Sequence, residues 1–194
     1  QVLYTQRREL QAGSENLRPG GLLCVRQKNS QQFNNMLFLH TDSGVTAKEF
    51  KTRRTMFGKI FSLNKVLQAL HEQEGKSRFI ALGDLNTMGR VKAPRVSPVT
   101  ETEEIAQLVI AAGEANMQLL EKSAPKTWSS PTGSKKGNLD HVIASNDLTF
   151  KTQETLDGQP VKVLVDGWVN KTGNARRSFI ENISDHSMLF VEIV

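Results

Sequence analysis

Arg78-Phe79-Ile80-Ala81-Leu82-Gly83-Asp84-Leu85-Asn86 is the stretch on which the fold turns. Its apolar run, closed by Gly-Asp, has the length of a strand buried on both faces and is too short for a helix. Upstream, Thr46-x-x-Glu49 has the form of a capping box, in which the two side chains satisfy free main-chain N–H groups at a helix start. Met56, Ile60, Leu63, Leu67 and Leu70 then recur at helical steps as one apolar stripe, and Gly75 ends the helix. Helix, apolar strand and Gly-Asp in that order describe an α/β layer, where functional groups collect at the C-terminal ends of strands.

The same reading extends outward. Val2-Leu3-Tyr4, Leu22 to Arg26 and Asn35 to His40 read as strands, the last two adjacent, with turn chemistry at Asn16 to Gly21. Downstream, Thr100-x-x-Glu103 caps a second helix with the face Ile105, Leu108, Val109 and Ala112, and Gly113 sits near its end. Leu139 to Ala144, Val161 to Val169 and Ser187 to Val194 read as further strands, separated by loops dense in Ser, Gly, Lys and Pro. No repeat or linker divides the 194 residues, a length suited to one domain or most of a larger one.

Hydrophobic residues make up 38%, enough for a core, and the composition is that of a soluble, globular chain. The longest apolar runs, such as Met188 to Val191, fall far short of the ~20 residues that span a bilayer, so no transmembrane segment is expected. No secretory signal opens the chain, and a soluble, cytoplasmic protein is the favoured reading. A single cysteine, Cys24, excludes an internal disulfide and reads as a small buried hydrophobe. The net charge of +5 attracts polyanions, which favours nucleic acid weakly. No obligate protein partner is evident.

Four polar segments stand at strand ends: Leu39-His40-Thr41-Asp42, Gly83-Asp84-Leu85-Asn86, Leu139-Asp140-His141-Val142 and Ser184-Asp185-His186-Ser187. Each alone reads as a turn. In that order they resemble the endonuclease/exonuclease/phosphatase family, which includes abasic-site endonucleases, pancreatic-type deoxyribonucleases, inositol phosphatases and sphingomyelinases. Thr127-Trp128, shortly before Leu139-Asp140, is a further feature in common.

The resemblance implies a layered α/β sandwich of two mainly antiparallel sheets flanked by helices, and hydrolysis of phosphoesters with Mg2+ or Mn2+. It also implies roles. Asp84 orients or deprotonates the attacking water, and Asn86 holds water and phosphate together. His186 faces the scissile phosphate as donor or acid, with Asp140 fixing its ring as in a triad. His40 is the second phosphate-facing histidine, and Asp185 lies at the metal site. A nuclease-type phosphodiesterase acting on nucleic acid is the leading reading. A phosphatase or phospholipid phosphodiesterase is the alternative, with a degenerate binding module as a third. The family's early Asn and metal-binding Glu have no match ahead of His40, since Glu9 and Glu15 stand in polar segments. Residues 1–194 are therefore read as an N-terminally truncated domain, weak in metal binding by itself.

The remaining polar residues read as structural. His71 lies near a helix end, and His141 faces away from Asp140 as a packing residue. Arg53 and Arg54 read as solvated charges. Lys135-Lys136 is the better candidate for substrate contact. No inserted basic helix able to grip a duplex is visible.

Overall fold

The structure is a computed structural model that describes residues 2–11, 17–26, 28, 32–70, 76–94, 96–154 and 158–194. His71, Gly75 and Glu15 lie outside the described residues. In chain order the elements are β1 (Val2–Arg7), β2 (Gly20–Arg26), β3 (Phe33–His40), α1 (Ala47–Leu70), β4 (Phe79–Asp84), α2 (Glu101–Glu114), β5 (Met117–Leu119), β6 (Trp128–Ser129), β7 (Lys136–Gly137), β8 (Asp140–Ser145), β9 (Gln153–Glu154), β10 (Pro160–Val161), β11 (Leu164–Asp166), α3 (Gly173–Asn182) and β12 (Met188–Phe190). The main sheet has six strands in the order β1-β2-β3-β4-β8-β5. Only β3 and β4 run parallel, joined by α1 as the crossover that a parallel pair needs.

Alternation along the central strands sorts the core into two layers. Phe79, Ala81 and Ile143 point to one side, where they pack with Phe57, Ile60, Leu63 and Leu67 of α1 and Leu108 and Ala112 of α2. Ile80, Val142 and Ala144 point to the other, against Leu120, Leu148, Phe150, Val163 and the terminal Leu189, Val191 and Ile193. The second β layer is built of short pieces, β6-β7, β9-β10 and β11-β12, stitched by bridges at Trp128↔His186 and Phe150↔Ile193. The mixed α/β sandwich is the expected architecture, with its second sheet broken up.

Both capping boxes form. The Thr46 N–H donates to Glu49 Oε2 at 3.0 Å, and the Thr100 N–H to Glu103 Oε2 at 2.7 Å. Three expectations need correction. Leu70 is 71% exposed, so the buried stripe of α1 ends at Leu67. The segment 161–169 is no single strand, since it breaks into β10, β11 and a 3-10 turn at Trp168–Asn170. The polar run after it, expected to be a loop, forms α3. Its hydrophobic content is too low for periodicity to reveal a helix, and packing of Phe179 and Ile180 decides it. Cys24 is half-buried against the helix-side core, which pushes its thiol pKa up.

Arg53 corrects the reading most sharply. It is fully buried and pairs with Glu104 at 2.9 Å, while its neighbour Arg54 stays on the surface. Arg53 also donates to the carbonyls of Gly44 at 2.6 Å and Gly89 at 2.8 Å, and Glu104 accepts from the Gly89 N–H at 2.6 Å. The buried face of α2 is thus Glu104, Leu108 and Ala112, and Val109 is left 49% exposed.

Candidate active site

Three strands deliver three side chains in one row. His40 is the register partner of Asp84 across β3-β4, and Asp84 is the partner of Asp140 across β4-β8. Register partners project to the same face of a sheet. Asp84 and Asp140 share parity with Ile80 and Val142, so that face is the one covered by the second β layer. The approach of β3 to β4 depends on Gly83. With φ of 137° it occupies left-handed space, and a Cβ there would stand 2.1 Å from the Leu39 carbonyl oxygen.

The row is completed from the second β layer. His186, just ahead of β12, places Nδ1 2.8 Å from Asp140 Oδ2. Its Nε2 lies 3.8 Å from Asp84 Oδ2, and His40 Nε2 lies 3.7 Å from the same oxygen. Both latter distances exceed a hydrogen bond. The other Asp84 oxygen accepts the Asn86 N–H at 2.9 Å. Asn86 has a φ of 46°, a turn conformation that asparagine tolerates, and donates its side-chain amide to the Thr41 carbonyl at 3.0 Å. It is almost fully buried and so braces Asp84 from below.

Asp185 points elsewhere than its neighbour. Its Oδ2 accepts the Trp128 indole N–H at 2.8 Å, and its carbonyl accepts the Ser129 N–H at 3.0 Å. Among the described residues no group of three or more His, Cys, Asp and Glu side chains gathers in a way that would hold a metal. The described donors therefore do not by themselves make a magnesium site.

The environment separates the ionisations. Burial works against the Asp140 carboxylate, yet the His186 and Thr127 hydrogen bonds and the His186 and Lys122 charges hold its pKa below the ordinary value. The same Asp140 hydrogen bond raises His186, with burial opposing and the charges of Asp140, Asp84 and Asp185 adding. Burial raises Asp84, with the Asn86 N–H pulling the other way, the Asp140 charge adding, and the His186 and His40 charges opposing. His186 is thus biased toward its protonated form and Asp140 toward its carboxylate, beside an Asp84 carboxyl group biased toward protonation.

Two supports lie beneath the row, Lys122, which carries no sequence signal, and Thr127 of the Thr127-Trp128 pair. Lys122 lies half-buried under the site, donating to Asn138 Oδ1 at 2.5 Å and to the Asp140 carbonyl, and desolvation pushes its pKa down to about 8. Thr127 Oγ1 accepts the Asp140 N–H at 2.9 Å. In sequence Lys122 is indistinguishable from a surface lysine. His141, facing the helix side, is buried with Nε2 2.9 Å from the Asn138 carbonyl and 2.8 Å from Thr87 Oγ1, the packing position expected. Asp42 lends a carbonyl to Arg53 at 3.4 Å. Lys135 and Lys136 stand exposed at the β6-β7 hairpin.

By sequence, no family model and no curated protein matches the chain. By structure, D. rerio TDP2 complexed with single strand DNA product aligns at a TM-score of 0.53 and 14% identity, over 100% of this chain and 68% of that one. A functionally unknown conserved protein from Enterococcus faecalis V583 aligns at 0.50 and 15% identity, over 100% and 65%. A humanized D. rerio TDP2 carrying 14 mutations aligns at 0.50 and 15%, over 100% and 68%. The fold is endonuclease/exonuclease/phosphatase-like. This chain spans about two thirds of the length of these neighbours, and at such identities the likeness is one of fold. No helix among the described residues is long and apolar enough to cross a membrane.

Proposed function

We propose that the protein hydrolyses phosphoester bonds, as a nuclease-type phosphodiesterase. The observation that carries this reading is the position of Asp84 Oδ2, which faces two imidazole Nε2 atoms at 3.7 and 3.8 Å. Those distances are too long for the groups to satisfy one another, and they suit a third polar atom lying between them. In the proposed reaction that atom is a phosphate oxygen or the attacking water. Asp84 orients the water and takes its proton once the carboxyl group is ionised, and Asn86 keeps that carboxylate turned toward the histidines. His186 presents Nε2–H to the phosphate as hydrogen-bond donor, or as the acid that protonates the leaving oxygen as its P–O bond breaks, held in orientation and biased toward protonation by Asp140. His40 supplies a second donor to the same oxygens.

Magnesium or manganese beside Asp185 belongs to the same proposal. A divalent ion would neutralise phosphate charge there. The donors described do not complete its shell, so no step above passes through it.

The choice of nucleic acid over a small phosphoester draws support from the chain's positive charge and from the DNA product bound in the TDP2 structure. The test is a side-by-side assay on plasmid DNA, abasic DNA, inositol phosphates and sphingomyelin, with and without magnesium. Turnover of DNA that is lost in His186→Ala supports the reading. Turnover of sphingomyelin or an inositol phosphate alone replaces the substrate, and turnover that survives His186→Ala removes the mechanism.

A further inference from the structure

Asp185 and His186 hang between two segments. On one side, residues 126–137 form the β6-β7 hairpin, whose Trp128 and Ser129 hold Asp185 by the indole and main-chain N–H groups. On the other, residues 167–183 form the 3-10 turn and α3, which runs directly into Ser184 through N–H bonds of Ile183 and Ser184 to the Phe179 carbonyl. Their charge is lopsided. The first holds three lysines and no carboxylate, and the second holds Lys171, Arg176 and Arg177 against Glu181 alone. Together they contain an excess of five positive charges, which equals the net charge of the whole chain. Asp166 and Asp185 border the second segment, and with them counted this face still holds an excess of three positive charges.

Packing gathers these cations. The buried Trp168 ring has Lys136 Nζ of the hairpin 5.8 Å from its centroid and the Arg176 guanidinium of α3 at 5.6 Å. Lys171 Nζ lies 5.6 Å from the Phe179 ring. Lys126 is committed to Glu101 at 2.5 Å. Among the described residues Lys135, Lys136, Lys171, Arg176 and Arg177 make no ion pair, and like charges on one face repel one another. Such an arrangement is stabilised by an anionic partner that threads between them.

We infer that the β6-β7 hairpin and α3 form a grip for the sugar-phosphate backbone of a nucleic-acid strand, leading it past His186. The inference deepens the nuclease reading and rests on it for the identity of the bound polyanion. The chemistry of the grip selects a strand over a lipid surface. The hairpin tip carries Ser130, Thr132 and Ser134 hydroxyls bonded to one another, and the exposed part of α3 carries Asn174, Arg177, Ser178 and Glu181. Membrane-lying helices need a broad apolar face, which α3 lacks. Among the described residues of the hairpin and α3 no aromatic side chain is exposed, and hydroxyls and cations alone hold phosphates and leave base identity unread.

The test is fluorescence anisotropy with a fluorescein-labelled single-stranded DNA oligonucleotide across a salt series. The full chain carries His186→Ala throughout, so that the probe is not shortened. Lys135→Ala/Lys136→Ala and Arg176→Ala/Arg177→Ala are each expected to weaken binding by ~10-fold or more at low salt. Each pair is expected to flatten the log–log salt dependence by about 2. Arg177→Ala alone, at an exposed position, serves if loss of Arg176 perturbs folding, and is expected to flatten it by about 1. Lys51→Ala/Lys65→Ala, on the exposed side of α1, removes the same charge and is expected to have little effect. Equal weakening by that control overturns the inference, as does unchanged binding in the hairpin and α3 variants. Binding to phosphatidylserine vesicles in preference to the oligonucleotide overturns it as well. Loss of hydrolysis in the unmodified protein with this binding pattern intact instead counts against the nuclease reading alone.

Discussion

The two faces of the central sheet handle buried polar groups in opposite ways. On the helix side, Arg53 and Glu104 are enclosed and saturated. Both Glu104 oxygens and the guanidinium nitrogens find partners, including the carbonyls of Gly44 and Gly89 in the loops that follow His40 and Asp84. His141 on that side is likewise bonded to Thr87 and Asn138. On the β-layer side, Asp84, His40 and His186 are brought close and left unsatisfied by one another at 3.7 and 3.8 Å. The first arrangement is what stability requires of buried charge, and the second is what a site open to a ligand atom requires. The difference teaches that burial alone marks neither function nor structure. Whether the polar atoms are already used is what separates them.

The largest expected effect breaks the site side without touching the fold. His186→Ala is expected to lower phosphodiester cleavage by ~10²–10⁴-fold, and Asp140→Asn to be comparably severe because it misaligns the ring. Plasmid nicking measures the rate and circular dichroism checks that the fold persists. A variant that unfolds instead would place His186 with Arg53 among structural groups.

Next comes the converse on the helix side. Arg53→Ala leaves Glu104 buried without its partner and is expected to cost about 3–5 kcal/mol of stability, read by urea denaturation. A loss of activity with stability unchanged would erase the contrast between the two faces.

The two histidines are expected to diverge with pH. Burial, helped by the Lys122 charge, pushes the folded pKa of His141 down to about 3, against an ordinary 6.5. The unfolded chain therefore takes up a proton below 6.5 that the folded one refuses. Stability from this group is complete above 6.5 and is lost as pH falls toward 3, by ~3 kcal/mol at pH 4.5. His186 has the opposite sign. Its raised value gives stability that is present below 6.5 and lost as pH rises through the folded pKa. Imidazole NMR is expected to show one ring titrating above 6.5 and the other silent until acid unfolding. A His141 that titrates normally would break the comparison.

Magnesium gives the smallest expected effect. With Asp185 turned to Trp128 and no cluster of donors among the described residues, calorimetry is expected to find weak binding. Tight one-to-one binding would mean that the metal site is elsewhere than at Asp185.

Much of this was legible in the sequence. Local chemistry determined both capping boxes, and the unbroken apolar run Phe79 to Leu82 determined a strand buried on two faces. Strand geometry sends Asp140 and His141 to opposite sides of the sheet, because the side-chain period of a strand is two. The polar residues at strand ends were legible as a set, since they stand where apolar runs stop. Their partners were not. Nothing near Arg53 in the chain announces Glu104, and nothing near Lys122 announces Asp140, because these contacts join residues far apart in sequence. Helix α3 escaped notice because it has no apolar stripe, only Phe179 and Ile180 turned inward. Local sequence sets backbone conformation and the face each side chain takes. Only the tertiary structure sets which faces meet, and with them the burial, charge and spare hydrogen bonds that divide a brace from a candidate site.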